Sequence, residues 1–240
     1  MRKGMSNLAA AIIVAVIGVA MIGGIIWAAV SKKASEPDFS QYNVNTVIAA
    51  SEENGNIGDH VKGNPDAPVL IFEYADYQCS ACAVANPRIN KLVDEYGDKL
   101  GVVYRDFLLS YHQNGTAAAS AAEAAGLQGY WKEYANKLFT NQSVWANASG
   151  DARTDVFVEL FRSATNGEGD ETKFVQDMKS EAVKKKINFD AGISKNLDIP
   201  GTPAFFIDGE RIDFSNAKNE EEFLNIFREK IDAKLNKITN

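Results

Sequence analysis

Both cysteines of the chain, Cys79 and Cys82, fall in one short stretch, separated by Ser80-Ala81 and preceded by the apolar run Val69-Leu70-Ile71-Phe72-Glu73-Tyr74-Ala75. A run of that length and composition reads as a buried strand. After Cys82, the residues Ala83, Val84, Ala85, Ile89, Leu92 and Val93 recur at helical spacing among Arg88, Lys91 and Asp94, so the cysteine pair opens a helix. A thiol in the first helical turn lies among unpaired backbone N–H groups at the positive end of the helix dipole, which favours thiolate and lowers its pKa. Cys79 is then expected to be the exposed nucleophile. Cys82, one turn further in on the same side, can close a disulfide with it or resolve a mixed disulfide.

Two plainer uses of the pair fit less well. A bridge across two intervening residues encloses too short a loop to restrict the unfolded chain much. A zinc site needs about four ligands, and the remaining candidates, His60 and His112, lie far away in the sequence. No metal site is expected.

With 240 residues, 45% of them hydrophobic, the chain can build one sizeable core plus an appendage. Its net charge of -7 argues against a nucleic-acid partner. Residues 8–30 carry no charge and are rich in Ala, Ile and Val. As a helix they would span about 34 Å, against about 30 Å for a bilayer's hydrocarbon core. This stretch is expected to be a single transmembrane helix, preceded by a cytoplasmic tail at residues 1–7. Ala29-Val30-Ser31 also offers a small-x-small cleavage site, so a removed leader is the rival reading. Arg2 and Lys3 before the span and Lys32 and Lys33 after it leave the orientation undecided by charge.

Residues 31–58, polar and broken by Pro37 and Gly55, read as a tether. Beyond it, His60 to Gly63 is a candidate strand, followed by the strand of residues 69–75, the helix to about residue 97 with Pro87 inside it, and a strand over residues 100–107. A right-handed parallel crossover is expected for this strand-helix-strand unit. From about residue 112 to 198 the pattern is helical, and the run Lys184-Lys185-Lys186 reads as a solvated face. Amphipathic stretches at 172–183 and 187–197 continue the helical pattern, and Gly150, Gly167 and Gly169 mark the joints. After Pro200 come a strand over 204–207, a hairpin turn at Asp208-Gly209, a returning strand over 211–214 and a last helix over 219–237.

The segment from Gly63 through Cys82, the strand Val102-Val103-Tyr104-Arg105-Asp106-Phe107 and the stretch Gly201-Thr202-Pro203-Ala204-Phe205-Phe206-Ile207-Asp208-Gly209 together resemble the DsbA family, including its membrane-anchored BdbD-like members. The resemblance covers residues 59–238 and implies an α/β thioredoxin fold with an inserted helical subdomain at about 112–198. It also implies that Pro203 is a cis-proline facing the cysteines, that Thr202 contacts the sulfurs and offers backbone groups to a substrate together with Ser80 and Ala81, and that Glu73 is a buried acid that moves the proton of Cys82. A carboxyl buried without a partner has a raised pKa, as a relay at neutral pH requires. The dipeptide Ser80-Ala81 lacks the histidine of the strongly oxidising members, which leaves thiolate stabilisation to the helix terminus and the Ser80 hydroxyl.

The activity so implied is that of an enzyme of the cell membrane, with its catalytic domain outside the cytoplasm, that donates the Cys79–Cys82 disulfide to reduced or unfolded proteins. It would use no cofactor beyond that disulfide and would be reoxidised by a quinone-linked membrane partner. The same site run as a reductase or isomerase, or a non-catalytic peptide-binding module, are the alternatives.

Overall fold

The computed structural model describes residues 37–239, and the elements below belong to the unit that begins at Phe39. The stretch expected to cross a membrane, 8–30, lies outside the described residues, among which no helix is long and apolar enough for that role.

Five strands, β1 (His60–Gly63), β2 (Val69–Ala75), β3 (Leu100–Asp106), β4 (Ala204–Ile207) and β5 (Glu210–Arg211), form one sheet in the order β1-β3-β2-β4-β5. β2 and β3 run parallel, from Val69 opposite Leu100 to Ala75 opposite Asp106, and are joined by helix α1 (Ser80–Tyr96). As the central pair they are covered on both faces, which is why each reads as a near-continuous apolar run. Alternation along β2 divides its side chains between two cores. Val69 and Ile71 pack with Ile89 and Leu92 of α1 and with Phe223, Leu224, Phe227 and Ile231 of the final helix α8 (Glu220–Thr239). Phe72 and Tyr74 pack on the other face, with Phe189 and Ile193.

Between β3 and β4 the chain builds an inserted helical subdomain: α2 (Gly115–Gly126), α3 (Trp131–Thr140), α4 (Gln142–Trp145), α5 (Gly150–Ala164), α6 (Glu171–Asp177) and α7 (Glu181–Asn196). The alanines of α2 are buried against Trp131, Tyr134, Leu138, Phe157, Phe161 and Phe174, so the aromatic stripe serves as core. Between α6 and α7 the chain turns at Met178 to Ser180, where the Ser180 hydroxyl accepts the Val183 amide and caps α7. The Asp208-Gly209 turn has positive φ at both residues, 52° and 82°, as a tight hairpin requires. The returning strand is shorter than expected. Past Arg211, Phe214 turns into the aromatic cluster of Phe205, Phe223 and Phe227.

Two expectations are overturned by one buried group. Arg105, on β3, donates to the Asn43 and Thr46 carbonyls at 2.9 and 2.7 Å, to the Tyr74 hydroxyl at 2.7 Å and to the Asp59 carboxylate at 2.8 Å. Residues 39–58 are therefore pinned to the sheet, with Ile48 and Ile57 buried, and are not a tether. Within the lysine run, Lys184 and Lys185 are exposed, but Lys186 is 1% accessible and bonds Asp190 at 2.8 Å and Asp59 at 3.3 Å. Helical periodicity decides the difference: three consecutive residues cannot share one face, and the third faces the sheet.

Removing one member of a buried ion network leaves its partners charged and unpaired, which typically costs about 3–5 kcal/mol. Lys186→Met is therefore expected to lower the unfolding free energy by about 3 kcal/mol in urea titration. Lys185→Met should change it by less than about 0.5 kcal/mol.

Candidate active site

The strand-to-turn-to-helix passage at the end of β2 brings the two cysteines to the N-terminus of α1. Cys79 is its N-cap residue, with extended backbone, and Cys82 lies in the first turn. Both are free thiols. Cys79 is not the exposed residue expected: it is 9% accessible and belongs to the apolar cluster that also holds Tyr77, Cys82 and the aromatic residues of the inserted helices.

The two sulfurs have opposite acid–base character. The Cys79 thiol is pulled down to about 5, chiefly by a hydrogen bond from the Cys82 thiol, with the Thr202 hydroxyl and the amides of Cys82 and Ala81 adding to it against the cost of burial. Burial pushes the Cys82 thiol far up, and its role as donor to Cys79 pushes it further. The amides are the helix-terminus contribution expected from the sequence. The larger part comes from the partner cysteine and from Thr202. The cap residue Cys79 makes no side-chain capping bond of its own.

Thr202 and Pro203 come from the other end of the fold, where the loop before β4 lies against the cysteines. Their peptide bond is cis. The Cys79 Sγ is 3.6 Å from the Thr202 carbonyl oxygen. The Thr202 hydroxyl is buried and makes no well-formed hydrogen bond of its own, but it stands close enough to both sulfurs to favour their ionised forms. Ser80 and Ala81 are exposed on the rim.

Glu73 shares the α1-facing side of β2 with Val69 and Ile71 and is completely buried, opposite Tyr104 in β3 and Phe205 in β4. Neither carboxylate oxygen has a hydrogen-bond partner among the described residues. Burial raises its pKa, and the Lys62 ammonium opposes the rise only in part. Lys62 is itself completely buried, donates to Asn86 Oδ1 at 2.5 Å and has a lowered pKa from the same desolvation. Glu73 and Lys62 are thus an acid and a base each disfavoured in the charged form, and each partly offsets the other's shift.

Sequence reasoning missed Lys62 and Asp76. Asp76 is buried, its Oδ1 accepts the Gln78 amide at 2.7 Å and its Oδ2 accepts the Leu109 amide at 3.0 Å. His112 Nδ1 lies 2.9 Å from the same Oδ2, and the Asp76 carbonyl accepts the Cys79 amide at 3.0 Å. Asp76 thus fixes the turn that presents Cys79. An Asp two residues before a turn amide is a local signal that could have been read. Lys62 had none, since its role exists only once β1 lies beneath α1.

A family model described as Thioredoxin matches residues 55–228. Among curated proteins, the chain is 34% identical over 158 residues to the Na(+)/H(+) antiporter NhaA 1 of Mycolicibacterium gilvum (strain PYR-GCK), a match covering 64% of this chain and 24% of that protein. The chain thus spans about a quarter of the length of the curated relatives it matches. Among solved structures, oxidised BdbD from Bacillus subtilis superposes with a TM-score of 0.61 at 20% identity, covering 81% of this chain and 100% of that one. Alpha-DsbA1 from Wolbachia pipientis superposes with a TM-score of 0.56 at 23% identity, covering 75% and 92%. At these identities the likeness is one of fold.

Alkylation of the reduced protein should occur at Cys79, with a rate that is half-maximal near pH 5, read by mass spectrometry across a pH series. The stability of the reduced form follows with a definite sign. Between about pH 5 and the ordinary thiol value of about 8.5, the folded chain holds Cys79 ionised while the unfolded chain holds it protonated. The reduced form should therefore gain stability as pH rises through that window and lose it as pH falls towards 5. Asp76→Ala, which strands two buried amides, should cost about 2–3 kcal/mol in urea titration in either redox state.

Proposed function

The chain belongs to the thioredoxin family, and from that premise we propose that it is a thiol-disulfide oxidoreductase of the DsbA type that oxidises protein substrates through Cys79 and Cys82. The observation that carries this reading is the split between the sulfurs: a thiolate favoured at Cys79 beside a Cys82 thiol that resists ionisation. A low thiol pKa makes Cys79 a good leaving group and stabilises the reduced form, by about 1.4 kcal/mol or roughly 30 mV for each pKa unit. Both effects favour giving the disulfide away.

The reaction begins with the Cys79–Cys82 disulfide. A substrate thiolate attacks Cys79 Sγ, the bond between the two enzyme sulfurs breaks, and Cys82 leaves with the electron pair and takes up a proton. Its raised pKa pulls this protonation forward, and Glu73 and Lys62, both disfavoured in their charged forms, supply the proton. A second substrate thiolate then attacks the substrate sulfur of the mixed disulfide and expels Cys79 as thiolate. Two electrons pass from the substrate to the enzyme dithiol. Thr202 and Pro203, with Ser80 and Ala81 on the opposite rim, flank the attacked sulfur and hold the substrate backbone.

The finer setting completes the proposal. The substrates are reduced or unfolded proteins outside the cytoplasm, the N-terminal apolar segment anchors the domain to the cell membrane, and a quinone-linked membrane partner removes the two electrons.

The test is the equilibrium reduction potential of the full chain against glutathione. A value near or above about -150 mV is expected of a disulfide donor, and a value near or below about -250 mV would make the protein a reductase. Cys79→Ala should abolish turnover. Undiminished peptide binding with no turnover in the unsubstituted protein would favour the binding-module alternative.

A further inference from the structure

A groove of about 390 Å³ runs from the cysteine turn along α1, within the size range of ligand clefts. One wall is a single helical stripe, Ala81, Val84, Ala85 and Arg88, at the i, i+3, i+4, i+7 spacing that places side chains on one face. The other wall holds Phe214, Ala217 and Phe223. The groove is mostly apolar, with Val84 53% exposed in it, and one charge stands in that lining. Arg88 lays its guanidinium over the Phe223 ring at 5.1 Å and makes no ion pair among the described residues. No acid lines the groove, and Glu220 and Asp213, close in sequence to its Phe223 and Phe214, have partners of their own: Glu220 binds Lys91 at 3.2 Å, and Asp213 accepts the Ser215 amide at 2.9 Å. A half-buried guanidinium, held by an aromatic face and lacking a carboxylate, is a complementary site for an anion brought by another molecule.

We propose that Arg88 is a specificity-determining residue, selecting substrate segments that carry an Asp or Glu carboxylate at a set distance from their reacting cysteine. The inference rests on the oxidoreductase reading above and names the substrate class for the same site. The distance follows from geometry. Arg88 lies nine positions beyond Cys79, about 13 Å along a helix rising 1.5 Å per residue. An extended peptide advancing about 3.3 Å per residue covers that span in about four residues. The carboxylate is therefore expected four residues from the cysteine, with apolar residues between to cover Val84 and Phe214.

The experiment uses the full chain in its disulfide form and single-cysteine peptides with Glu or Gln four residues before or after the cysteine, or eight residues away. The rate of mixed-disulfide formation is followed by quenching and mass spectrometry. On one of the two sides, the Glu peptide should react about fivefold faster than its Gln counterpart, the range of a partly exposed ion pair, and the ratio should shrink towards one in high salt. Glu eight residues away should give no advantage. Arg88→Gln should erase the ratio and Arg88→Lys should restore part of it. Equal rates for the Glu and Gln peptides at both four-residue positions would overturn the proposal, as would a ratio that persists in Arg88→Gln. Direct binding of the same peptides with serine for cysteine separates the two levels of inference. A Glu preference in binding without any exchange would uphold the role of Arg88 and sink the oxidoreductase reading.

Discussion

The buried guanidinium of Arg105 is the tie on which the arrangement of this domain depends. From β3 it reaches β2 through the Tyr74 hydroxyl, the segment before β1 through the Asn43 and Thr46 carbonyls, and Asp59 through a paired charge. Asp59 in turn meets Lys186 of α7, which is bonded to Asp190, and Asp190 accepts the Asp106 amide at the end of β3. A charge taken out of water is tolerable only if every polar neighbour is in place, so this network allows few alternatives for how the inserted helices lie on the sheet. The orientation of the insertion matters for the chemistry because its loops hold the cysteine turn. Gln142 donates to the Tyr77 carbonyl, Gln78 donates to the Ala146 carbonyl and the Asn114 amide donates to Gln78 Oε1.

At the cysteines the same physics acts with opposite results three residues apart. Cys79 sits where donors converge: a thiol, a hydroxyl and the first amides of a helix. Cys82 sits where water is excluded and its own proton is already committed to Cys79. Neither property belongs to a cysteine as such. Each follows from a different element delivering groups to one place: α1 its amides, the loop before β4 its Thr202, and the insertion its apolar cover. Burial of Cys79 does not contradict reactivity, since the adjoining Ser80 and Ala81 are exposed.

Glu73 and Lys62 extend this logic below the helix. Two groups that would each be charged in water are held where charge is costly, and each moderates the other's shift. Such a pair costs stability, and perturbed titratable groups of this kind cluster at functional sites. Arg88 shows the converse at the surface. Its charge makes no ion pair among the described residues, while Lys91 and Glu220 satisfy each other.

Local sequence determined the strands, the helix opened by the cysteines, the helical character of residues 115–196 and the Asp208-Gly209 turn, because each rests on periodicity or turn chemistry within a few residues. Glu73, an acid in an apolar run, was visible for the same reason. What local pattern could not decide is everything that depends on which elements meet. Residues 39–58 looked like a tether because they are polar, yet they are held by Arg105, far along the chain. Lys186 looked solvated because its neighbours are, yet its face of α7 is turned to Asp59. Cys79 looked exposed at a helix end, yet it is buried in the same apolar cluster as the insertion's aromatic residues. Hydrophobic spacing is written along the chain, but the burial of a charge or a thiol is set by partners distant in sequence, and only the tertiary structure brings them together.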